Sequence, residues 1–313
     1  MTPAPAPSNA TSIARPSSWV LGATLAVVLL VWSVNYVVGK LTLTHLDALT
    51  LASFRFQLSA TLLLAIYVSQ GRRMPLRVRD VWTFLYLGFF GFAVNQGAFV
   101  IGLSLTTSQH SVVIIALGPI LALLFATALK LERLTTAKTL GLIICFCGVL
   151  LLEADQGSPL HSPLLLGDVI TLVGTLGFSI YTVLGKRVAS NYDAISMTTF
   201  NATAAALLWL PFAIRQGVRL DWEAVGWSGW AGLLYMVAFS SVGGYLLFYW
   251  LLGHMDASRV VVVNYLQPVV VVLLSIPLLG GRPTGWLVAS GSLVILGVYL
   301  AEHASARERQ RRV

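Results

Sequence analysis

Polar side chains that lie inside long apolar stretches are the candidates for chemistry in this 313-residue chain, and Arg55 is the most unusual of them. A charge in the middle of a membrane helix costs roughly 2.5–3.5 kcal/mol, so we predict that Arg55 faces a polar interior. Two interpretations stay open. The guanidinium can hold a substrate carboxylate through paired hydrogen bonds, or it can bond helix-end carbonyls and amides and so lock the packing.

Uncharged polar residues occur in three of the apolar stretches: Asn35, Tyr36, Asn95, Gln96, Asn264 and Gln267. An amide both donates and accepts hydrogen bonds, which suits the two ends of a zwitterion. For each amide alone, bonding between helices is the competing interpretation, worth about 0.6 kcal/mol on average in a membrane. As a group they indicate a polar interior.

Aromatic residues are frequent in the same stretches, and Trp32, Tyr181 and Tyr245 are the candidates for stacking on a substrate, with plain packing as the alternative. The predicted substrate-binding set is therefore Trp32, Asn35, Tyr36, Arg55, Asn95, Gln96, Tyr181, Tyr245 and Asn264. His110, near the end of its stretch, is expected to line a mouth rather than to relay protons. We expect no catalytic residue, no metal site and no cofactor.

The composition predicts elements that lie in a lipid bilayer. Hydrophobic residues make up 57% of the chain and charged residues 10%, with a mean hydropathy of +0.82. A soluble domain carries roughly 25% charged residues, so this chain cannot cover a surface that faces water. The net charge of +8 comes from short loops and the C-terminus, which argues against nucleic acid as a partner. Cys145 and Cys147 lie two apart in an apolar stretch, a spacing unsuited to a disulfide or a metal pair.

Ten apolar stretches predict an all-α polytopic membrane protein. Each is close to the roughly 20 residues that span a bilayer. The predicted spans are residues 19–39, 48–69, 81–103, 109–129, 136–152, 167–186, 195–214, 225–251, 259–279 and 285–302.

The chain repeats itself. Residues 32–40 are Trp-Ser-Val-Asn-Tyr-Val-Val-Gly-Lys and residues 178–186 are Phe-Ser-Ile-Tyr-Thr-Val-Leu-Gly-Lys, an offset of 146 that also carries Asp47 onto Asp193. Further on, an offset of 149 carries Pro119 onto Pro268 and Arg133 onto Arg282. Because each copy has five spans, an odd number, the second copy enters the membrane from the opposite side. The sequence therefore predicts two inverted five-helix repeats around a central cavity.

The spans divide the chain into five segments. We predict a disordered tail over residues 1–18, a first five-helix repeat over 19–152, an outward-facing connector over 153–166, a second repeat over 167–302 and a basic tail over 303–313. Fifteen Lys and Arg residues lie on one predicted side and four on the other, with Arg55 inside a span. Basic loops stay in the cytoplasm, so both termini are predicted to be cytoplasmic.

Small and helix-breaking residues predict where helices touch and bend. Gly167, Gly174 and Gly177 share one face of the sixth span, which favours close helix contact. Pro119 and Pro268 lie at matching places in the fourth and ninth spans and each removes a helix hydrogen bond. Paired interruptions in two halves indicate a binding site between them.

The order and spacing of several motifs resemble the EamA family of the drug/metabolite transporter superfamily. The motifs are Trp32 to Lys40, Arg55-Phe56, and Pro119 followed by Leu131-Glu132-Arg133-Leu134-Thr135, and the likeness covers residues 19–302. The second copy departs from the pattern, with Asn201 in place of Arg55 and Gly281 in place of Glu132. The resemblance implies ten helices around a cavity and the export of amino acids or related metabolites. The family includes exporters of aromatic amino acids, of threonine and homoserine, and of cysteine derivatives.

The sequence features leave three candidate functions to consider. The first is export of amino acids or their derivatives, possibly aromatic or apolar, by alternating access without proton coupling, because no carboxylate lies in the middle of a predicted span. The second is proton-coupled drug or metabolite efflux. The third, a membrane-embedded enzyme, lacks any His-Glu-x-x-His or Gly-x-Ser-x-Gly motif. We expect a monomer in the cell inner membrane, with the bilayer and a small-molecule substrate as partners.

Overall fold

A computed structural model describes residues 16–71, 77–130, 135–154, 164–189, 192–254, 262–280, 282 and 284–310. The predicted tail up to residue 15, most of the connector, residues 72–76 of the first basic loop, the motif residues 131–134 and Gly281 lie outside this part. Inside the helices, the side chains at 149, 152–154, 186–189, 252–253, 262–265 and 301–310 are also outside it.

The described residues form helices joined by short connections. In the first half these are α1 (Ser18–Thr42), α2 (Ala48–Ser69), a 3-10 turn (Val78–Asp80), α3 (Val81–Gly88), π1 (Phe89–Val94), α4 (Asn95–Leu105), α5 (Ser108–Ile115), α6 (Gly118–Ala128) and α7 (Thr136–Ala154). In the second half they are α8 (Leu165–Ala189), α9 (Ala194–Arg219), α10 (Gly226–Tyr235), π2 (Met236–Gly244), α11 (Tyr245–His254), α12 (Val262–Leu279) and α13 (Gly285–Gln310).

Seven helical segments among the described residues are long and apolar enough to cross a membrane, and three more apolar segments are shorter. Many large side chains on these helices stay exposed, such as Val68 at 71% and Leu273 at 62%. Exposed apolar surface of this extent is a membrane-facing feature, because a soluble monomer seldom exposes large apolar patches.

Helix starts repeat between the two halves. The carboxylate of Asp47 accepts hydrogen bonds from the backbone N–H groups of Leu49 and Thr50 at the start of α2. Asp193, its counterpart at an offset of 146, accepts from the Ser196 N–H at the start of α9. An aspartate at this position satisfies helix N–H groups that have no partner within the helix.

Helix packing follows the same duplication. Two pairs of equivalent helices pack on each other, α2 on α9 and α7 on α13. The contact of α8 with α4 also has its counterpart in the other repeat, the contact of α1 with α11. The glycines of α8 bring backbones together as predicted: a Cβ at Gly174 would lie 3.0 Å from the Asn95 carbonyl oxygen, and one at Gly177 would lie 2.8 Å from that of Phe90. Larger residues at these positions would push α8 off α4 and π1.

Both halves contain a π-helical segment at matching places. Adding 149 to the bounds of π1 gives 238 to 243, which falls within π2. The two prolines behave differently. The helix is interrupted between α5 and α6, directly before Pro119, whereas α12 continues through Pro268. A π-helical turn in an α-helix often marks a functional site, because it re-aims the side chains beside it.

Candidate binding cavity

A cavity of about 100 Å³ lies between the two halves of the molecule. Eight of the described residues that line it come from the first half and four from the second: Trp32, Asn35, Tyr36, Arg55, Asn95, Gln96, Phe99, Ile115, Phe178, Ser240, Tyr245 and Gln267. Seven of the nine predicted binding residues are among them. The duplication thus places side chains from α1, α2 and α4 opposite side chains from π2 and α11.

Arg55 is held in place by the π-helical segment of the other half. Its Nε donates to the Ser241 hydroxyl oxygen at 2.8 Å, and its Nη2 lies 3.3 Å from that of Ser240. The Phe99 ring lies beneath the guanidinium, 5.9 Å from its carbon to the ring centroid. Only 3% of Arg55 is exposed, so its charge is almost fully buried at the cavity wall. The predicted inward orientation of Arg55 is confirmed. Its bonds to the two serines fit the packing interpretation, and the unpartnered Nη1 leaves room for a substrate carboxylate.

Three buried polar atoms at the cavity have no hydrogen-bond partner among the described residues: Nη1 of Arg55, Nε2 of Gln96 and Oδ1 of Asn35. The first two are donors and the third is an acceptor. A buried polar group without a partner costs roughly 1–3 kcal/mol, and more when it is charged. This cavity therefore presents unsatisfied donors and an acceptor to whatever occupies it.

Aromatic rings form the remaining wall. Trp32 and Tyr245 pack edge to face with ring centroids 5.6 Å apart, and Tyr36 packs in the same manner on Phe99 at 5.2 Å. The Trp32 indole N–H donates to the Ser240 carbonyl at 3.3 Å. Because the indole and ring contacts fix these side chains, the apolar part of the cavity has a defined shape.

Two predicted binding residues are not among the described cavity walls. Tyr181 packs its ring on Gly91, where a Cβ would lie 2.3 Å from the Tyr181 Cδ2 atom, and its hydroxyl oxygen lies 3.4 Å from Nδ2 of Asn201. Its location follows from the missing side chain at Gly91, which leaves room for the ring. Asn264 lies on α12, but its side chain is outside the described residues.

A second buried polar cluster connects the start of α8 with the end of α4. Nδ1 of His110 lies 2.9 Å from one Asp168 carboxylate oxygen, and the Thr106 hydroxyl donates to the other at 2.6 Å. Lys40 donates to the carbonyls of Leu103 and Thr106. The expectation that His110 lines a mouth is not met in this structure, because the residue is 4% exposed and its ring pairs with the Asp168 carboxylate. Neither His110 nor Asp168 lines the cavity.

The family model that matches this chain is that of the EamA-like transporter family, over residues 17–153 and again over residues 165–302. The two matches together cover most of the chain, one for each half. The chain belongs to the EamA-like transporter family.

Relatives of this EamA-like protein are described as transporters. A protein of Archaeoglobus fulgidus described as an uncharacterized transporter is 29% identical over 88% of this chain and 96% of its own length. A probable amino-acid metabolite efflux pump of Escherichia coli is 26% identical over 89% of this chain and 93% of its own. A solved crystal structure with a TM-score of 0.63 covers 93% of this chain at 20% identity and supports the fold alone.

Family, relatives and apolar helices agree on the general function. This EamA-like protein is a multi-pass membrane transporter for small molecules, and it is not an enzyme.

Several wall residues were not among the predicted set. Ser240 is one serine among many in the sequence, and its role depends on the π-helical turn that aims it at Arg55. Ile115 carries no polar signal at all. Gln267, by contrast, is one of the polar residues that indicate a polar interior, and it lies on the wall with 4% of its surface exposed.

Proposed function

We propose that this transporter exports amino acids or their derivatives, with an aromatic or apolar side chain, by alternating access through the central cavity. The observation that carries the proposal is the convergence of Arg55, buried amides and aromatic rings on one cavity between the halves. Charged and amide groups serve the polar end of such a molecule, and the rings serve its side chain. Two relatives described as probable amino-acid metabolite efflux pumps support the substrate class.

The proposed architecture is ten spans in two inverted repeats of five, over residues 19–152 and 167–302, in the cell inner membrane with both termini in the cytoplasm. The fifteen-to-four asymmetry of basic residues supports this orientation. Single cysteines at Ser158 and at the C-terminus, on a Cys145→Ser, Cys147→Ser background, test it. A cysteine at 158 should react with an impermeant thiol reagent from outside, and labelling only after the inner face is opened would reverse the topology.

Alternating access requires the two halves to move around the substrate. The cavity is lined from both halves, so a tilt of one against the other exposes its contents to either side. The glycines of α8 bring its backbone close to α4, and we propose that this contact is where the two halves move against each other. We propose that the transporter works as a monomer, since each chain contributes both walls.

Transport is proposed to follow the substrate's own gradient. The described cavity walls include one guanidinium and no carboxylate, and a proton carrier shared with the substrate needs an ionisable group in that place. A pH gradient across proteoliposomes, with the membrane potential clamped, should leave the final substrate distribution unchanged.

Proton-coupled efflux is the second candidate, and the buried His110–Asp168 pair favours it. A histidine is the side chain whose charge changes nearest neutral pH. Uphill substrate movement under the pH gradient, abolished by a protonophore and by Asp168→Asn, would replace the first candidate with this one.

The substrate class is tested by efflux from proteoliposomes loaded with a panel of amino acids and their derivatives. Export of at least one aromatic or apolar member, absent from protein-free vesicles, is expected. Retention of the whole panel by vesicles that contain folded protein would contradict the proposed function.

A further inference from the structure

The charge of the cavity limits which substrate charges it can bind favourably. Among its described wall residues, Arg55 carries a permanent positive charge and no residue carries a negative one. The Nε and Nη2 atoms of Arg55 each bond one serine hydroxyl, of Ser241 and Ser240, whereas Nη1 has no acceptor among the described residues. A buried charge without a partner is costly, and an anion is the partner that removes this cost.

Two hydrogen-bond donors at the cavity lack an acceptor and can each bond one oxygen of a carboxylate. Nη1 of Arg55 and Nε2 of Gln96 are both buried, and neither has an acceptor at full hydrogen-bond distance among the described residues, although the Tyr245 hydroxyl lies near the Gln96 amide. Gln96 is oriented by its own carbonyl oxygen, which accepts from the Ser241 hydroxyl at 3.2 Å. The same serine hydroxyl accepts from Arg55, so one side chain fixes both donors. A carboxylate has two oxygens and can accept from both.

The unpartnered acceptor, Oδ1 of Asn35, can bond an uncharged donor group of the substrate that lies next to its carboxylate. Oδ1 of Asn35 is buried on the same cavity and lacks a donor among the described residues. A hydroxyl or an acylated amine next to the carboxylate supplies such a donor without adding charge. A free ammonium group would also donate, but it would be repelled by Arg55 and would find no carboxylate on the described walls.

We infer that the cavity selects monoanionic carboxylates that bear an uncharged donor group and an apolar or aromatic side chain, in preference to zwitterionic amino acids. This inference rests on the proposed function and specifies the derivatives that it covers. The charges of Arg55 and the bound carboxylate then cancel, so the buried site is electrically neutral when it is loaded.

Export of a monoanion also has an energy source. Each cycle moves one net negative charge outward, because the loaded and the empty transporter differ by that charge. An inside-negative potential of 100 mV is worth roughly 2.3 kcal/mol per charge, which sustains an outside-to-inside ratio of about 50. No proton-binding group is needed for such export, whereas a zwitterion gains nothing from the potential.

Three ligands that share a phenyl ring test the inference: 3-phenyllactate as the anion, phenylalanine as the zwitterion and phenylalaninol as the cation. Calorimetric titration of the purified full-length transporter at pH 7 should give phenyllactate a dissociation constant about tenfold or more below that of phenylalanine, the scale of one hydrogen bond to a charged group. Arg55→Gln should bring the two within about twofold, and Arg55→Lys, which keeps the charge, should retain part of the preference.

A flux measurement separates this inference from the proposed function. At a clamped inside-negative potential, phenyllactate should redistribute outward to the ratio given above, and phenylalanine should reach equal concentrations. This end point does not depend on how the protein is oriented in the vesicles. Phenylalanine that binds as tightly as phenyllactate and moves without regard to potential would overturn the inference and leave the proposed function standing. Absence of both binding and flux for all three ligands would overturn both.

Discussion

The two halves of this transporter carry different side chains at matching positions around the membrane centre. In the first half, Asn35 and Arg55 lie on the cavity, and Arg55 meets π2 of the second half at Ser240. Offsets of 146 and 149 carry Asn35 onto Tyr181 and relate Ser240 to Gly91 of π1. There the Tyr181 ring lies on the bare backbone of Gly91, a place closed by packing.

The two matching positions also differ in charge. Asn201, the counterpart of Arg55 at an offset of 146, is fully buried, and its amide nitrogen lies 3.4 Å from the Tyr181 hydroxyl oxygen. The duplicated backbone could place two equal polar sites at the interface, but the side chains make one open and charged and the other filled and neutral. The comparison indicates that the duplication supplies a shared backbone frame, while the charged side chain at the cavity comes from the first half.

Asn35→Tyr should have the largest effect, because it gives the open site the ring that fills its counterpart. The added ring enters a cavity of about 100 Å³ and removes the Asn35 acceptor. Transport in proteoliposomes should fall about 100-fold, the upper range of an overpacking penalty. Asn35→Asp is a poor control because it adds charge, so Ile143→Tyr, at a 52% exposed position on α7, is the matched ring insertion. Equal loss in both variants would contradict the interpretation.

Some features of the cavity follow from the sequence, and others depend on contacts that only the fold creates. The cost of burying Arg55 and the amides predicts that they face a polar interior. The described ones, Arg55, Asn35, Asn95, Gln96 and Gln267, line the cavity. The residue type and span of Tyr181 predict a place on the cavity, whereas its location depends on Gly91, a glycine 90 positions away in the chain. The π-helical turns that aim Ser240 and Ser241 have no sequence signature, since they differ from an α-helix only in hydrogen bonding. The His110–Asp168 contact joins two stretch ends 58 residues apart.

Gly91→Ala tests the filled site. Its new methyl group would lie 2.3 Å from the Tyr181 ring, and we expect a destabilisation of about 1–3 kcal/mol, seen as a lower thermal unfolding temperature in detergent. Adding Tyr181→Asn, the residue found at the matching position of the first half, should recover most of the loss. Gly22→Ala is the control, because a Cβ there meets nothing within 4 Å. A stable Gly91→Ala protein would show that the ring is not confined by this glycine.

Tyr181→Phe should have the smallest effect. The ring keeps its contacts with Phe92 and Phe178, and only a long hydrogen bond from Asn201 is lost. We expect transport within about twofold of the native protein and a change in unfolding free energy of about 1 kcal/mol or less. A larger loss of transport with unchanged stability would return the Tyr181 hydroxyl to the substrate site.

The most direct test of the central claim is a comparison of Arg55→Gln with its repeat counterpart, Asn201→Ala, in one flux assay. Initial rates of substrate efflux from proteoliposomes with equal amounts of folded protein are measured side by side. The account predicts that Arg55→Gln lowers the rate about tenfold or more, the loss of a hydrogen bond from a charged group, while Asn201→Ala stays within about twofold. Full transport by Arg55→Gln, or an equal loss in both variants, would contradict a single binding site centred on the first half.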